Sequence, residues 1–189
     1  MIRLAILGST RGTYLTAMME AIQQKRLLAT IEIVISNKPN AVILERAKSY
    51  GLLTQFVDSQ GLTREQYDQH ISSLLQQHAV ELIVLIGYMR ILSADFVTTW
   101  ENKIINVHPS LLPAFAGKMD LEVHRAVIAA GVKETGCTVH YVTQDVDAGP
   151  ILLQKKCAVY SGDTPEELKK RVQQLESEAI VETLKFFCS

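Results

Sequence analysis

The sequence has few cysteines, no long apolar run and almost no net charge. Its three cysteines, Cys137, Cys157 and Cys188, are widely spaced and fit neither a zinc nor a disulfide pattern, which predicts a reducing compartment. No apolar run approaches the roughly 18 residues that a membrane span needs. The N-terminal residues MIRLAIL are too short and too charged for a signal peptide. A net charge of −1 favours neither nucleic acid nor an anionic membrane as a partner. We therefore expect a cytoplasmic protein that binds neither.

Two kinds of catalytic site are also missing from the sequence. The histidines, five in number, show no HExxH or other ligand spacing, so no metal is expected. No GxSxG elbow is present, and Ser110 lies too close in sequence to His108 to be its obvious nucleophilic partner. Neither metal-assisted hydrolysis nor a serine triad is therefore predicted.

Apolar segments alternate with amphipathic ones along the 189 residues. Aliphatic runs such as residues 2–7 and 82–86 predict strands that are covered on both faces. Capping boxes at Thr63 and Thr164 predict the starts of two helices. The alternation predicts an α/β fold with a doubly wound, mainly parallel sheet flanked by helices. A single domain over residues 1–189 is expected.

In such a sheet, ligands bind beyond the carboxyl ends of the strands. Polar or glycine-rich segments follow four predicted strands, at residues 8–13, 36–38, 87–90 and 106–108. The first segment, GSTRGT, suits a single phosphate, because glycines let backbone N–H groups approach an anion at a helix N-terminus. It lacks the Walker lysine and the GxGxxG spacing, which disfavours ATP and NAD. A glycine-rich turn without a ligand is the alternative.

The segment NVHPSLLPAF, residues 106–115, follows the predicted strand at residues 103–107. If the chain stays extended, Asn106 and His108 point to the same side. Both can donate to one oxygen, as stabilisation of an oxyanion in acyl transfer requires. The best candidate for a proton acceptor lies in the acidic loop at residues 143–150. A structural histidine and a turn-forming aspartate are the alternatives. The residues alone indicate an α/β enzyme, with acyl transfer involving a phosphorylated small molecule as one option.

Two motifs together resemble the folate-dependent formyltransferase family: residues 106–113, NVHPSLLP, and residues 147–150, DAGP. The likeness covers nearly the whole chain and is strongest to members that act in purine biosynthesis. It implies a Rossmann-like formyltransferase fold. The implied reaction moves a formyl group from 10-formyltetrahydrofolate to the amine of glycinamide ribonucleotide, through a tetrahedral oxyanion and without a metal. These two small molecules are the implied partners of a monomer or homodimer.

The resemblance also implies roles for individual residues. Asn106 and His108 would stabilise the oxyanion, and Asp147 would position His108 and relay protons. The folate donor would contact one group of residues: Arg64, Met89, Arg90, Ile91, Leu92, Thr143 and Asp147. Glycinamide ribonucleotide would contact a second group: Gly12, Thr13, Tyr14, Pro109, Gln173 and Glu176. Within these groups, Arg64 would approach the glutamate tail of the folate. Gly12, Thr13 and Tyr14 would hold the phosphate, and Gln173 and Glu176 the ribose.

Two segments depart from the family pattern. Tyr14 stands where the family commonly has Asn. Residues 116–125 are longer than the usual Pro-Gly-x-His-x-His-Arg, so that only His124 matches securely. Three other functions are alternatives: an amino-sugar N-formyltransferase, another folate-dependent formyltransferase of the same fold, and a non-catalytic phosphosugar-binding module.

Overall fold

The computed structural model describes residues 1–188 and contains a seven-stranded sheet in the order β3-β2-β1-β4-β5-β6-β7. The strands are β1 (Ile2–Gly8), β2 (Ala29–Ser36), β3 (Thr54–Phe56), β4 (Leu82–Ile86), β5 (Ile104–His108), β6 (Glu134–Tyr141) and β7 (Ile151–Ala158). The pairs β1–β2, β1–β4, β2–β3 and β4–β5 are parallel. The pairs β5–β6 and β6–β7 are antiparallel. The predicted doubly wound, mainly parallel sheet is confirmed.

Helices cover both faces of the sheet. They are α1 (Leu15–Gln23), α2 (Val42–Ser49), α3 (Arg64–Gln77), α4 (Ala94–Thr99), α5 (Leu121–Ala129) and α6 (Pro165–Phe186). Leu4 and Ile6 of β1 join the core layer that holds α1, α2, α5 and α6. Ala5 and Leu7 join the opposite layer, which holds α3 and α4. This alternation explains why the strand is apolar throughout.

Side-chain caps mark the starts of α3, α4 and α6. Thr63 and Thr164 form capping boxes before α3 and α6, and Pro165 occupies the first turn of α6. Ser93 caps α4, because its Oγ accepts the N–H of Phe96. Helix α5 is not among the helices predicted from the sequence. Within residues 1–188, no helix has both the length and the apolar character to cross a membrane.

Hydrogen bonds join the segments that leave β1, β2 and β4. Ser9 Oγ donates to Asn37 Oδ1 at 2.5 Å and accepts the N–H of Met89 at 2.9 Å. Ser9 N–H donates to Gly87 O at 3.2 Å. Gly87 has φ +56°, and a Cβ there would lie 2.2 Å from Thr10 Oγ1, so this approach requires glycine. These three predicted ligand-binding segments therefore meet at one edge of the sheet.

Candidate active site

The end of β5 places its polar side chains on the face that carries α3 and α4. Ile105 and Val107 pack into the opposite layer, with α5 and α6. Asn106 and His108 alternate with them and therefore point the other way. The strand runs to His108, one residue beyond its predicted end, so the imidazole is held by the sheet and is only 4% exposed.

The segment after β5 folds over β6 and β7 and is fastened there. Leu112 N–H donates to Thr138 Oγ1 at 3.0 Å, and Gln154 Nε2 donates to Leu112 O at 2.9 Å. Ser110 Oγ donates to Ala114 O at 2.5 Å, which closes a turn inside the segment. Because these bonds fix the backbone, residues 115–117 are held beside His108.

Asp147 reaches His108 by an indirect path. Because β6 is antiparallel to β5, its last residue, Tyr141, lies beside the start of β5 and away from His108. The loop at residues 142–150 turns back along the sheet, and Asp147 Oδ2 lies 3.3 Å from His108 Nδ1. Gly149 allows this turn, since a Cβ there would lie 1.8 Å from Tyr141 O. The structure thus brings Asn106, His108 and Asp147 together.

Both ring nitrogens of His108 face hydrogen-bond acceptors. Nε2 lies 3.2 Å from Phe115 O, and Nδ1 faces the Asp147 carboxylate. Gly117 N–H donates to the same Asp147 oxygen at 2.8 Å. Burial lowers the pKa of His108, while Asp147 and Phe115 O act in the opposite direction. A neutral imidazole can donate to only one acceptor, whereas an imidazolium can donate to both, so the site can hold and release a proton at this ring.

His140 is a further member of this group that the sequence patterns do not single out. Its Nδ1 lies 2.9 Å from Tyr141 O, and because a carbonyl only accepts, Nδ1 carries the proton. Nε2 is therefore an acceptor for Asn106 Nδ2, 3.4 Å away. Burial lowers the pKa of His140 and so favours the neutral ring, while Tyr141 O and the charge of Asp147 act in the opposite direction. His140 thus orients the Asn106 amide, and the second N–H of Asn106 Nδ2 remains free to donate.

The residues predicted to contact the folate donor line the adjoining segments. Leu92 and Val142 both pack against the core layer of α3 and α4, so the segment after β4 and the loop that carries Thr143 border the same region. Met89 and Ile91 are largely exposed. Arg90 is half-buried, and Arg64 is exposed at the first residue of α3.

The residues predicted to contact glycinamide ribonucleotide form two groups. Gly12 has φ +63°, and a Cβ there would lie 2.4 Å from Ile43 Cγ1, so packing of α2 by itself requires glycine. Thr13 and Pro109 are half-buried. Tyr14 is 6% exposed and packs into the core. Burial raises the pKa of Tyr14, and nearby Glu176 and Cys137 add to this effect. The phenol is therefore turned toward α6, so the phosphate contact predicted for Tyr14 would rest on its backbone N–H.

Glu176 on α6 is a buried acid. It is 6% exposed, and burial raises its pKa to about 8, with Lys169 acting in the opposite direction. Lys169 Nζ pairs with Asp120 Oδ1, at the start of α5. Gln173 is half-buried one helical turn before Glu176. Glu176 is therefore not a solvated helix acid. Separately, the described residues include no group of three or more His, Cys, Asp or Glu side chains suited to a metal ion.

Comparisons with known proteins agree with this geometry. The formyl transferase family model matches residues 2–184. Phosphoribosylglycinamide formyltransferase of Escherichia coli is 37% identical over 92% of this chain and 81% of its own length. The trifunctional purine biosynthetic protein adenosine-3 of Gallus gallus is 41% identical over the whole chain, which spans only 18% of that protein.

Solved structures give the same result. The crystal structure of glycinamide ribonucleotide transformylase 1 from Symbiobacterium toebii has a TM-score of 0.94 and 39% identity, and the match covers 99% of this chain and 87% of that one. Phosphoribosylglycinamide formyltransferase from Coxiella burnetii has a TM-score of 0.92 and 38% identity, covering 98% and 86%. The resemblance predicted from the sequence motifs is confirmed, and the chain belongs to the formyl transferase family.

Proposed function

We propose that this chain transfers the formyl group of 10-formyltetrahydrofolate to the amine of glycinamide ribonucleotide. The observation that carries the proposal is the convergence of Asn106, His108 and Asp147, with an Nδ1–Oδ2 distance of 3.3 Å between the last two. Relatives of nearly the same length bear the name phosphoribosylglycinamide formyltransferase. The activity would belong to one formyltransferase domain over residues 1–189, acting in the cytoplasm as a monomer or homodimer.

The chemistry follows from the proposed roles. The substrate amine attacks the formyl carbon, and the carbonyl oxygen becomes an oxyanion in a tetrahedral intermediate. The unused N–H of Asn106 Nδ2 and the Nε2–H of His108, which faces Phe115 O in this structure, would donate to that oxyanion. The amine loses a proton, the bond from the formyl carbon to N10 of the folate breaks, and N10 takes up a proton. Asp147 would accept and return this proton, through water or His108.

The remaining predicted residues would bind the two substrates. Arg64 would contact the glutamate tail of the donor, while Met89, Arg90, Ile91, Leu92 and Thr143 would line the pocket that holds the donor. Gly12, Thr13 and Tyr14 would bind the phosphate of glycinamide ribonucleotide, with Pro109 beside its reacting end. Gln173 and Glu176 would bind the ribose hydroxyls. A buried carboxyl such as Glu176 suits that task, because it can either donate to or accept from a hydroxyl.

A direct assay tests the proposal. Purified protein is mixed with 10-formyltetrahydrofolate and one amine acceptor at a time, and the tetrahydrofolate product is followed by absorbance in the presence of a chelator. Turnover with glycinamide ribonucleotide is expected, without added metal. Turnover only with an amino-sugar nucleotide would replace the proposed acceptor and keep the formyl transfer. Binding without any turnover would favour the phosphosugar-binding module.

A further inference from the structure

Arg90 lies flat on a rigid aromatic platform. Its Cζ is 4.2 Å from the centroid of the Tyr67 ring, a geometry that attracts a guanidinium to the ring face. Tyr67 is fully buried in the core layer of α3 and α4, so the ring itself cannot move freely. Arg90 is only half-buried, between the exposed side chains of Met89 and Ile91. The guanidinium is therefore held on one side by the ring, and part of the Arg90 side chain remains accessible.

The residue after Tyr67 is a buried carboxylate that lacks half of its expected partners. Asp68 is 1% exposed, and its Oδ2 accepts the N–H of Ser93 at 2.5 Å. Among the described residues, its Oδ1 has no hydrogen-bond partner, and neither does the buried Nε of Arg90. A buried, half-satisfied carboxylate costs stability and calls for an explanation. The nearby guanidinium groups of Arg90 and Arg64 supply one.

The charges of Arg90 and Arg64 act on the Asp68 carboxyl. Burial raises the pKa of Asp68, whereas its hydrogen bonds with Ser93 and then the charges of Arg90 and Arg64 lower it. Arg64 lies one helical turn before Asp68 on α3, and Arg90 lies over the neighbouring ring. Asp68 and Arg90 form no direct ion pair in the described part of the chain, so the carboxylate attracts the guanidinium through space. Both guanidinium groups are therefore close enough to act on this buried carboxyl.

We propose that Tyr67 and Asp68 are positioning residues that hold the Arg90 guanidinium so that Arg90 and Arg64 together bind the glutamate carboxylate of the folate donor. This inference rests on the proposed function. Neither positioning residue touches the donor. Tyr67 supplies the surface on which the guanidinium rests, and Asp68 supplies the charge that draws it there, so less side-chain freedom remains to be lost on binding. Ordering a free arginine would weaken binding by roughly 3- to 10-fold.

The test uses a change that keeps the hydrogen bond and removes the charge. Asp68→Asn still offers an oxygen to Ser93 N–H. Steady-state kinetics are measured with 10-formyltetrahydrofolate and with the same donor lacking its glutamate, 10-formyltetrahydropteroate. The KM for the glutamate-bearing donor should rise about 3- to 10-fold, with kcat within about twofold. The KM for the truncated donor should stay at its wild-type value. Asp95→Asn, an exposed change in the first turn of α4, is the matched control and should alter neither KM.

Two further variants separate positioning from folding. Tyr67→Phe keeps the ring face and should behave like the wild type, whereas Tyr67→Leu removes the platform and should reproduce the selective rise in KM. In an Arg90→Met background, Asp68→Asn should have no further effect on KM. An equal rise for both donors, or an unchanged or lowered KM for the glutamate-bearing donor, would overturn the proposal.

The outcome can be separated from that of the proposed function. If the wild type turned over neither donor, the proposed function would fail. The positioning proposal would then be judged from the Kd of the two donors, measured by calorimetry in the wild type and in Asp68→Asn. A selective loss of affinity for the glutamate-bearing donor supports it, and a parallel change or no change contradicts it.

Discussion

Asp147 Oδ2 lies 3.3 Å from His108 Nδ1, although the strand that leads to Asp147 ends beside the start of β5. The contact depends on a loop that reverses along the sheet after Tyr141 and is closed by Gly149. Gly117 N–H fixes the same carboxylate oxygen from the segment after β5. The Asp147 carboxylate therefore contacts both the imidazole and the segment after β5. Replacing Asp147 by a residue that keeps the contact with Gly117 should affect the chemistry more than the fold.

Asp147→Asn should lower kcat by about 10²- to 10⁴-fold, as expected for loss of a proton-transfer group. The amide oxygen can still accept the Gly117 N–H, so the thermal midpoint should change little. Asp145→Asn is the matched control, because Asp145 is an exposed aspartate of the same loop. Stopped-flow or steady-state assays at saturating substrates give kcat directly. A wild-type rate in Asp147→Asn would reject the assignment of proton transfer to this carboxylate.

Asn106→Ala should lower kcat by about 10²- to 10³-fold, because one oxyanion donor is lost. Asn106→Asp should be at least as slow, since a carboxylate would repel the developing negative charge. The order of these two variants separates an oxyanion donor from a residue that only fills space: a space-filling role predicts that the near-isosteric Asp is the faster. Single-turnover measurements of the formyl-transfer step are the appropriate readout.

The parallel part of the sheet was predictable because its strands carry local signals. Aliphatic runs such as residues 82–86 need cover on both faces, and the capping boxes at Thr63 and Thr164 mark helix starts. The direction of β6 carries no such signal. The residues of β6 would alternate in the same way in either direction. The hydrophobic pattern of the sequence therefore could not predict that Asp147 contacts His108.

In the site, too, the local features were predictable and the features that depend on distant segments were not. Asn106 and His108 share a face because alternation is local, whereas the partnership of Asn106 with His140 depends on strand register, which no local pattern sets. Glu176 lies four residues after Val172 and three before Ala179, on the apolar stripe of α6, but an acid is ordinarily solvated, so its burial was not predicted from the residues alone. The inward orientation of the Tyr14 side chain could not be predicted either, because it depends on how α6 packs against the sheet.

His124 should make the fold sensitive to acid. Burial lowers its pKa to about 4, Lys169 acts in the same direction and Asp120 opposes them. The unfolded histidine has the ordinary pKa of 6.5 and binds a proton first as the pH falls. The stabilising contribution is therefore complete above pH 6.5 and is lost toward pH 4, by on the order of 3 kcal/mol. Urea unfolding at several pH values should show a shallower acid dependence in His124→Gln, whereas exposed His70→Gln should follow the wild type.

Glu176 should have the opposite pH dependence. The folded carboxyl, with its pKa raised to about 8, stays protonated, whereas the unfolded one ionises near 4.5, so stability falls as the pH rises between these values. Glu176→Gln resembles the protonated acid and does not titrate. At about pH 8 the variant should be more stable than the wild type by on the order of 4 kcal/mol, and near pH 4.5 the two should be similar. Chemical denaturation at both pH values measures the difference.

The same change should weaken the substrate site. Glutamine resembles the protonated acid but cannot ionise to accept from both ribose hydroxyls, so the KM for glycinamide ribonucleotide should rise roughly tenfold while the KM for the folate donor stays unchanged. Exposed Glu101→Gln, made in the same way, should alter neither stability nor KM. A variant that gains stability at high pH and loses affinity for one substrate only would identify Glu176 as an acid kept in the core for binding, at a cost to the fold. Equal stability of variant and wild type at both pH values would instead mean that burial does not raise the pKa of Glu176.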